Sequence, residues 1–379
     1  MQDEITQAVL SREEVARYLR GGAGETGPQA RERIHAYLDE LRTTQRYPIY
    51  RALKHPLYPI LRKVERLSEG HEHVQASIDA GCRVVYISNH KSHLDYLVEP
   101  LVLEDNHIRP PVIAAGINLF GGPLGILHRH VTGAIPIRRN TKDPAYLVTL
   151  KAYVAEVLRR HDLFFYLEGG RSYSGELKQP KTGLIHATLQ AEIESLAVIP
   201  VAIAYDLVLE DRILSRQGVK RTQRPFSREL AEMVGAAVGY RTRAFVAFGK
   251  PVSLDGIDMH SRREGLELSR NIREQIGRLH KILPTALVAQ AMRPSATRRE
   301  MESRVAGLLE ILAARGANLG AIESARQAVE QGIELLILRS VIVPESQRYR
   351  VRDRTLLRYY ARSIEHLLSA SRQSGARPH

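Results

Sequence analysis

Tryptophan is absent, cysteine occurs once, and aromatic residues make up only 6% of this 379-residue chain. A single cysteine, Cys82, excludes an internal disulfide framework and suits a reducing compartment. It precedes a β-rich run without a partner at nucleophile spacing, so packing is its expected role. No uncharged apolar stretch reaches the roughly 18 to 20 residues that a membrane-crossing helix needs. The nearest, 112–127, is interrupted by Gly116, Asn118, Gly121, Gly122, Pro123 and Gly125, and reads as a strand followed by a loop or short helix. The basic-apolar-small pattern of a secretory leader is also missing, so secretion is not expected.

Positive charge is in excess: 55 Lys and Arg against 42 Asp and Glu give a net charge of +13 and a sequence pI near 9.9. Such a balance fits nucleic acid, an anionic membrane surface or acidic small molecules. Finger-type C-x-x-C spacing and an RRM aromatic motif are both absent, and there is no Trp for base stacking, so nucleic acid is not an expected partner. An anionic membrane surface is, because Lys and Arg near such lipid contribute about 1 kcal/mol each.

With 44% hydrophobic residues the chain can bury a sizeable core. Residues 1–70 read as an N-terminal helical segment. Its stretch from Tyr50 to Arg66 is alternately basic and apolar, suited either to lying on a membrane or to a packed helix pair broken near Pro56 and Pro59. From 71 to 285 short β-branched runs alternate with helical ones: 84–87, 111–114, 134–137, 163–167, 197–203 and 244–248 read as strands, several apolar enough for burial on both faces. The expected fold is therefore α/β, a mixed, mostly parallel sheet flanked by helices. Asp143 and Pro144 open its clearest crossover helix as N-cap and first-turn residue. Residues 286–370 read as a C-terminal helical module beginning with the capping box Thr297-x-x-Glu300, and 371–379 as a frayed polar tail.

Three segments carry chemistry. In Asn89-His90-Lys91-Ser92-His93-Leu94-Asp95, His90 and Asp95 would diverge by about 140° within one helix. They meet only if His90 precedes the helix on the turn after a strand, with Ser92 as N-cap and Asp95 in the first turn. The carboxylate would then fix the imidazole tautomer for general-base work. Arg138 and Arg139 follow a strand, where ligands of α/β sheets gather, with one of the two expected to face solvent or a carboxylate. In Glu168-Gly169-Gly170-Arg171-Ser172 the glycines would let backbone N–H groups approach an anion, Arg171 supplies a bidentate fork, and Glu168 would hold an arginine. Lys181 adds charge to the same site. A base at one end and guanidinium groups at the other suit acyl transfer onto a phosphate-bearing alcohol.

Other readings fall away. His93 joins no H-E-x-x-H and no cysteine, so no metal site is expected, and it reads as a helix residue beside the site. The segment Gly175 to Thr182 resembles a P-loop only until Pro180 stands where glycine is needed. Ser172 and Ser174 lie outside any G-x-S-x-G elbow, against a serine hydrolase.

At these residues the chain resembles the glycerolipid acyltransferases, and within them the glycerol-3-phosphate and dihydroxyacetone-phosphate acyltransferases. The family's H-x4-D, Ile-Arg-Arg, E-G-x-R-S and proline-containing apolar blocks correspond in order to His90/Asp95, Ile137-Arg138-Arg139, Glu168-Gly169-Gly170-Arg171-Ser172 and Val198-Ile199-Pro200-Val201. Lys91 stands where arginine is common, and Tyr173-Ser174 replaces the frequent Arg-Thr. The resemblance implies transfer of a fatty acyl group from acyl-CoA or acyl carrier protein to the sn-1 hydroxyl of glycerol 3-phosphate, giving lysophosphatidic acid for phospholipid synthesis. It implies His90 as base, Asp95 as its partner, Arg138, Arg171 and Ser172 as substrate contacts, and Pro200 as part of the fourth block. No cofactor beyond the acyl donor is implied, and the expected location is peripheral, on the cytoplasmic side of the cell membrane. The alternatives are dihydroxyacetone phosphate or lysophosphatidic acid as acceptor, or a non-catalytic module that binds lipid surfaces.

Overall fold

The computed structural model describes residues 2–21, 27–57, 59–120, 125–126, 129–220, 240–320 and 322–369. The tail expected from 371 onward lies outside them. Among the described residues, seven strands form one sheet in the order β1-β7-β6-β2-β5-β3-β4. They are β1 Val64–Glu69, β2 Arg83–Ser88, β3 Val112–Gly116, β4 Ala134–Ile137, β5 Leu163–Tyr166, β6 Leu196–Tyr205 and β7 Thr242–Phe248. All pairings are parallel except that of β6 with β7, so the sheet is mixed and mostly parallel.

Alternation along β2 builds two cores. Val84 and Tyr86 enter one face of the sheet, Val85 and Ile87 the other, because successive side chains of a strand point opposite ways. Neighbouring β5 divides Phe164 from Phe165 in the same manner. The strand β3 is buried along its length, which accounts for the first part of the apolar stretch from 112.

The crossover helix Pro144–Leu158 begins as its sequence requires, with Asp143 accepting from the N–H groups of Ala145 and Tyr146. N-terminal helices cover it: Ile34, Leu38 and Leu41 of Gly27–Leu41 are buried in the same core as Tyr146 and Leu150. Each such aliphatic burial contributes about 1.5–3 kcal/mol. Arg12, between two of those helices, pairs with Glu156 at 2.8 Å.

Two readings of the sequence change here. Residues 64–69 are not helical but form β1, the edge strand paired with β7. Val64 and Leu67 stand three apart, which imitates a helical stripe, whereas the charged residues between them suit an exposed sheet edge. The C-terminal part is not purely helical either. Besides the helices Pro284–Ala291, Arg298–Ala314, Ala325–Leu338, Arg354–Arg362 and Glu365–Leu368, it holds β8 Ser295–Thr297, β9 Ile342–Glu345 and β10 Arg348–Val351 in the order β8-β10-β9. Runs of three or four residues are too short for alternation to declare them. The capping box of Thr297 and Glu300 is formed on both sides, and Gly316 adopts a φ of 66° after the helix it follows. No helix among the described residues is long and apolar enough to cross a membrane.

The C-terminal helices share a core with one face of the sheet, where Leu287, Val288 and Leu336 join Val84 and Tyr86, and a buried ion pair adds to that contact. Asp211, at the start of the helix Asp211–Lys220, is fully buried, accepts from the Arg339 guanidinium and also takes the Tyr360 hydroxyl. Replacing Arg339 with methionine strands that carboxylate. We expect Arg339→Met to lower unfolding stability by about 3–5 kcal/mol, read as an earlier urea midpoint; an unchanged midpoint would mean the pair does not hold the module.

Candidate active site

Register assembles the site at the C-terminal ends of the parallel strands. Ser88 of β2 lies opposite Tyr166 of β5, so His90 and Glu168, each two residues further on, arrive side by side. Glu168 accepts the His90 N–H at 3.0 Å through one carboxylate oxygen and the Lys178 N–H at 3.1 Å through the other. The Ser172 N–H donates to the His90 carbonyl at 2.9 Å. On the opposite side, the Asn89 side chain exchanges two hydrogen bonds with the Ile203 backbone of β6. The backbone around His90 is thus fixed from both neighbouring strands.

Asp95 begins the helix Asp95–Asp105 and is fully buried. Its Oδ2 takes His90 Nδ1 at 2.8 Å and the N–H groups of Lys91 and Ser92 at 2.6 and 2.9 Å, while Oδ1 takes the Tyr205 hydroxyl at 2.8 Å. Burial pushes this carboxyl up to about 7, against the donors from Ser92, Tyr205 and Lys91. An ionised carboxylate accepts only. Every partner that surrounds Asp95 can donate, an arrangement that favours its ionised form and an imidazole protonated on Nδ1.

Burial, followed by the charges of Arg171, Arg139 and Lys178, holds His90 well below the ordinary histidine range. That shift favours the neutral imidazole over the imidazolium.

Those three cations form the opposing wall. Arg171 is buried, with Nη1 3.9 Å from Glu210. Its guanidinium lies 5.8 Å from the Tyr173 ring centre, and Lys178 Nζ lies 5.3 Å from the same centre. A Cβ on Gly170 would stand 3.3 Å from an Arg139 nitrogen, so glycine here lets that guanidinium rest on the loop. Burial lowers the pKa of Lys178; Glu168 raises it, and Arg139, Arg171 and Lys181 lower it further. Mutual crowding of cations is relieved by an anion.

His90 and Asp95 meet as the spacing requires, but Leu94, not Ser92, precedes the helix. Ser92 instead accepts the Leu94 N–H at 3.0 Å and donates to Glu210 at 2.9 Å, because Asp95 itself folds the turn by taking backbone N–H groups. His93 lies in that turn rather than in the helix, its N–H donating to Glu210 at 2.6 Å.

Arg138 is directed away from the site: its guanidinium pairs with Glu40 and lies over Tyr37 and Tyr146. Adjacent extended residues face opposite ways, so only Arg139 joins the wall. Glu168 holds backbone N–H groups where an arginine was expected. The Ser172 hydroxyl donates to the Glu176 carbonyl at 2.6 Å, a loop tie in place of the expected substrate contact. Gly169, at a φ of 64°, gives its N–H to the Tyr166 carbonyl and lies against the exposed Lys181 chain. Pro200 is buried in β6 opposite Ile87, within the sheet rather than at the wall; its carbonyl accepts from Gly249 where β7 has ended, so the missing N–H disrupts no ladder.

Sequence reading missed Asn89, Lys91, Lys178, Tyr205 and Glu210. Lys91 is buried, with its ammonium on the Gly175 carbonyl at 2.7 Å, and burial lowers its pKa while Glu168 and Asp95 raise it. Lys178 had a visible signal, a lysine ten residues after Glu168 in a glycine-rich loop. Glu210 had none, since its partners Ser92 and Arg171 are far away in sequence.

The site sets a buried imidazole and its carboxyl partner against three cations. Residues 66–204 match the family model described as Acyltransferase. The match encloses His90, Asp95, Arg139, Glu168, Arg171 and Lys178. Among its relatives are the glycerol-3-phosphate acyltransferases of Aeromonas hydrophila subsp. hydrophila, 34% identical over 237 residues (60% of this chain, 29% of that protein), and of Haemophilus ducreyi, 30% identical over 255 residues (65% and 31%). That of Pseudomonas syringae pv. tomato is 32% identical over 239 residues (60% and 28%). The chain thus spans about three-tenths of the length of these relatives. The solved 1-acyl-sn-glycerophosphate (LPA) acyltransferase PlsC from Thermotoga maritima aligns over 72% of this chain and 86% of its own at 13% identity, but a TM-score of 0.32 carries no argument.

Nitrogen-15 NMR of the His90 ring tests the electrostatics directly. The wild-type imidazole should carry its proton on Nδ1 and titrate below the ordinary histidine value. Lys178→Met, by removing one facing cation, should move that titration upward. A downward movement, or a ring already charged at neutral pH, would contradict the assignment.

Proposed function

We propose that this protein transfers a fatty acyl group from acyl-CoA or acyl carrier protein to the sn-1 hydroxyl of glycerol 3-phosphate, giving lysophosphatidic acid. The observation that carries the reading is a buried imidazole, held by Asp95 at 2.8 Å, facing Arg139, Arg171 and Lys178. The glycerol-3-phosphate acyltransferase relatives support the same acceptor.

The cationic wall binds the phosphate and so carries the acceptor hydroxyl toward Nε2 of His90. Nε2 takes the hydroxyl proton as the oxygen attacks the thioester carbonyl, and Asp95 stabilises the imidazolium that forms. The tetrahedral intermediate collapses with loss of the thiolate. The imidazolium returns the proton to that sulfur, leaving ester and free thiol.

Such an enzyme would work at the cytoplasmic side of the membrane as a peripheral protein. The net charge of +13 supports this, as do the exposed apolar side chains Ile117 and Ile126 in the segment after β3, beyond the strand end that shares the site's side of the sheet.

Purified protein given labelled palmitoyl-CoA and glycerol 3-phosphate should form labelled lysophosphatidic acid, and His90→Ala should abolish it while leaving binding to anionic vesicles intact. Vesicle binding without product from any phosphorylated acceptor would favour a lipid-surface module and refute the enzyme. The two neighbouring arginines should separate. Arg139→Ala should raise KM for glycerol 3-phosphate by about 10- to 100-fold, equivalent to one charge-assisted hydrogen bond of about 1.5–3 kcal/mol. Arg138→Ala should leave that KM within about twofold, since its partner is Glu40. Equal effects would mean that the wall has been misassigned.

A further inference from the structure

The contact with Asp95 fixes one edge of the His90 imidazole and leaves its rotation about that hydrogen bond unconstrained. A second contact removes this freedom. The Tyr166 ring lies parallel to the imidazole, with centroids 4.0 Å apart and an interplanar angle of 11°. Strand register dictates the meeting, since Tyr166 stands opposite Ser88, two residues before His90.

The phenol is itself tethered. Its hydroxyl donates to Glu99 Oε2 at 2.9 Å, and the Ser88 hydroxyl donates to Glu99 Oε1 at 2.5 Å. Glu99 is fully buried and comes four residues after Asp95 on the same helix, so both carboxyl groups lie on one helical face. One holds the edge of the imidazole, and the other holds the ring that covers its face. A carboxyl group buried against two neutral hydroxyls is an unfavourable way to fill space, and an apolar side chain would do so without the desolvation penalty. Its placement makes sense where the orientation of Tyr166 matters.

We propose that Tyr166 and Glu99 are positioning residues for His90: the phenol sets the plane of the imidazole and so aims Nε2, and Glu99 with Ser88 sets the phenol. The proposal rests on the reading of His90 as the base of an acyl transfer, and its test separates the two.

Four variants are compared with wild type: Tyr166→Leu, which removes the stack; Tyr166→Phe, which keeps the ring but cuts the tether; Glu99→Leu; and Glu99→Gln, whose amide oxygen still accepts the phenol. Tyr166→Leu should lower kcat by about 10- to 100-fold with both KM values within about twofold, the effect of a misaimed base. Tyr166→Phe and Glu99→Leu should fall between it and wild type, and Glu99→Gln should recover most of the Glu99→Leu loss. Independently of turnover, the wild-type His90 ring protons should show an upfield ring-current shift in proton NMR that vanishes in Tyr166→Leu and is altered in Glu99→Leu and Tyr166→Phe. A wild-type protein that shows the shift and its loss yet transfers no acyl group would sink the function while leaving the stack standing. If tether-cut variants keep both the ring shifts and kcat at wild-type values, Glu99 has no positioning role; should Glu99→Leu fail to fold, Tyr166→Phe reports on the same contact. Losses confined to KM would overturn the proposal as well.

Discussion

Everything at the site depends on one buried carboxyl group, that of Asp95, and on the hydrogen bonds that converge on it. Asp95 is fully buried, and the cost of that burial is offset by the donors that converge on it: the Lys91 and Ser92 N–H groups, the Tyr205 hydroxyl and His90 Nδ1. Each donor in turn constrains a different part of the fold. The backbone N–H groups bend the chain between β2 and the helix, Tyr205 brings the end of β6, and one edge of the imidazole is held at Nδ1. The turn, the sheet and the imidazole edge meet at the same carboxyl group.

A second buried carboxylate repeats the device further out. Glu210 gathers Ser92, the His93 N–H and Arg171, and so links the base loop to the anion wall. Next to it in sequence, Asp211 takes Arg339 and Tyr360 from the C-terminal helices. The C-terminal part therefore bears on the site through adjacent residues of one chain segment. The N-terminal helices do so on the other flank, through the pair between Glu40 and Arg138 beside Arg139. In this arrangement the flanking segments are fastened to the residues that neighbour the chemistry.

How much of this was legible in the sequence depended on range. Local patterns carried far: the apolar runs gave the interior strands, Asp143-Pro144 gave the crossover helix, and the five-residue interval between His90 and Asp95 already required a turn between them. Patterns that needed a partner from elsewhere did not. Among the described residues no strand pairs with the outer side of β1, which suits its charges, and its apolar residues happen to fall three apart. Arg138 and Arg139 were indistinguishable until Glu40 was brought alongside. Ser172 entered as a substrate contact through the family resemblance; its hydroxyl donates to the carbonyl of Glu176, a tie that depends on how the loop folds rather than on residue type. Glu210, over a hundred residues from Ser92, becomes a site residue only once β6 has delivered it.

The most direct test of the account is the turnover of Asp95→Asn with palmitoyl-CoA and glycerol 3-phosphate. An asparagine of the same shape keeps the turn near its native form but offers an amide to Nδ1, which favours the wrong tautomer. The account predicts a loss in kcat of about 10³- to 10⁴-fold with little change in KM for glycerol 3-phosphate. Turnover within a few-fold of wild type, in a variant shown to be folded, would contradict it.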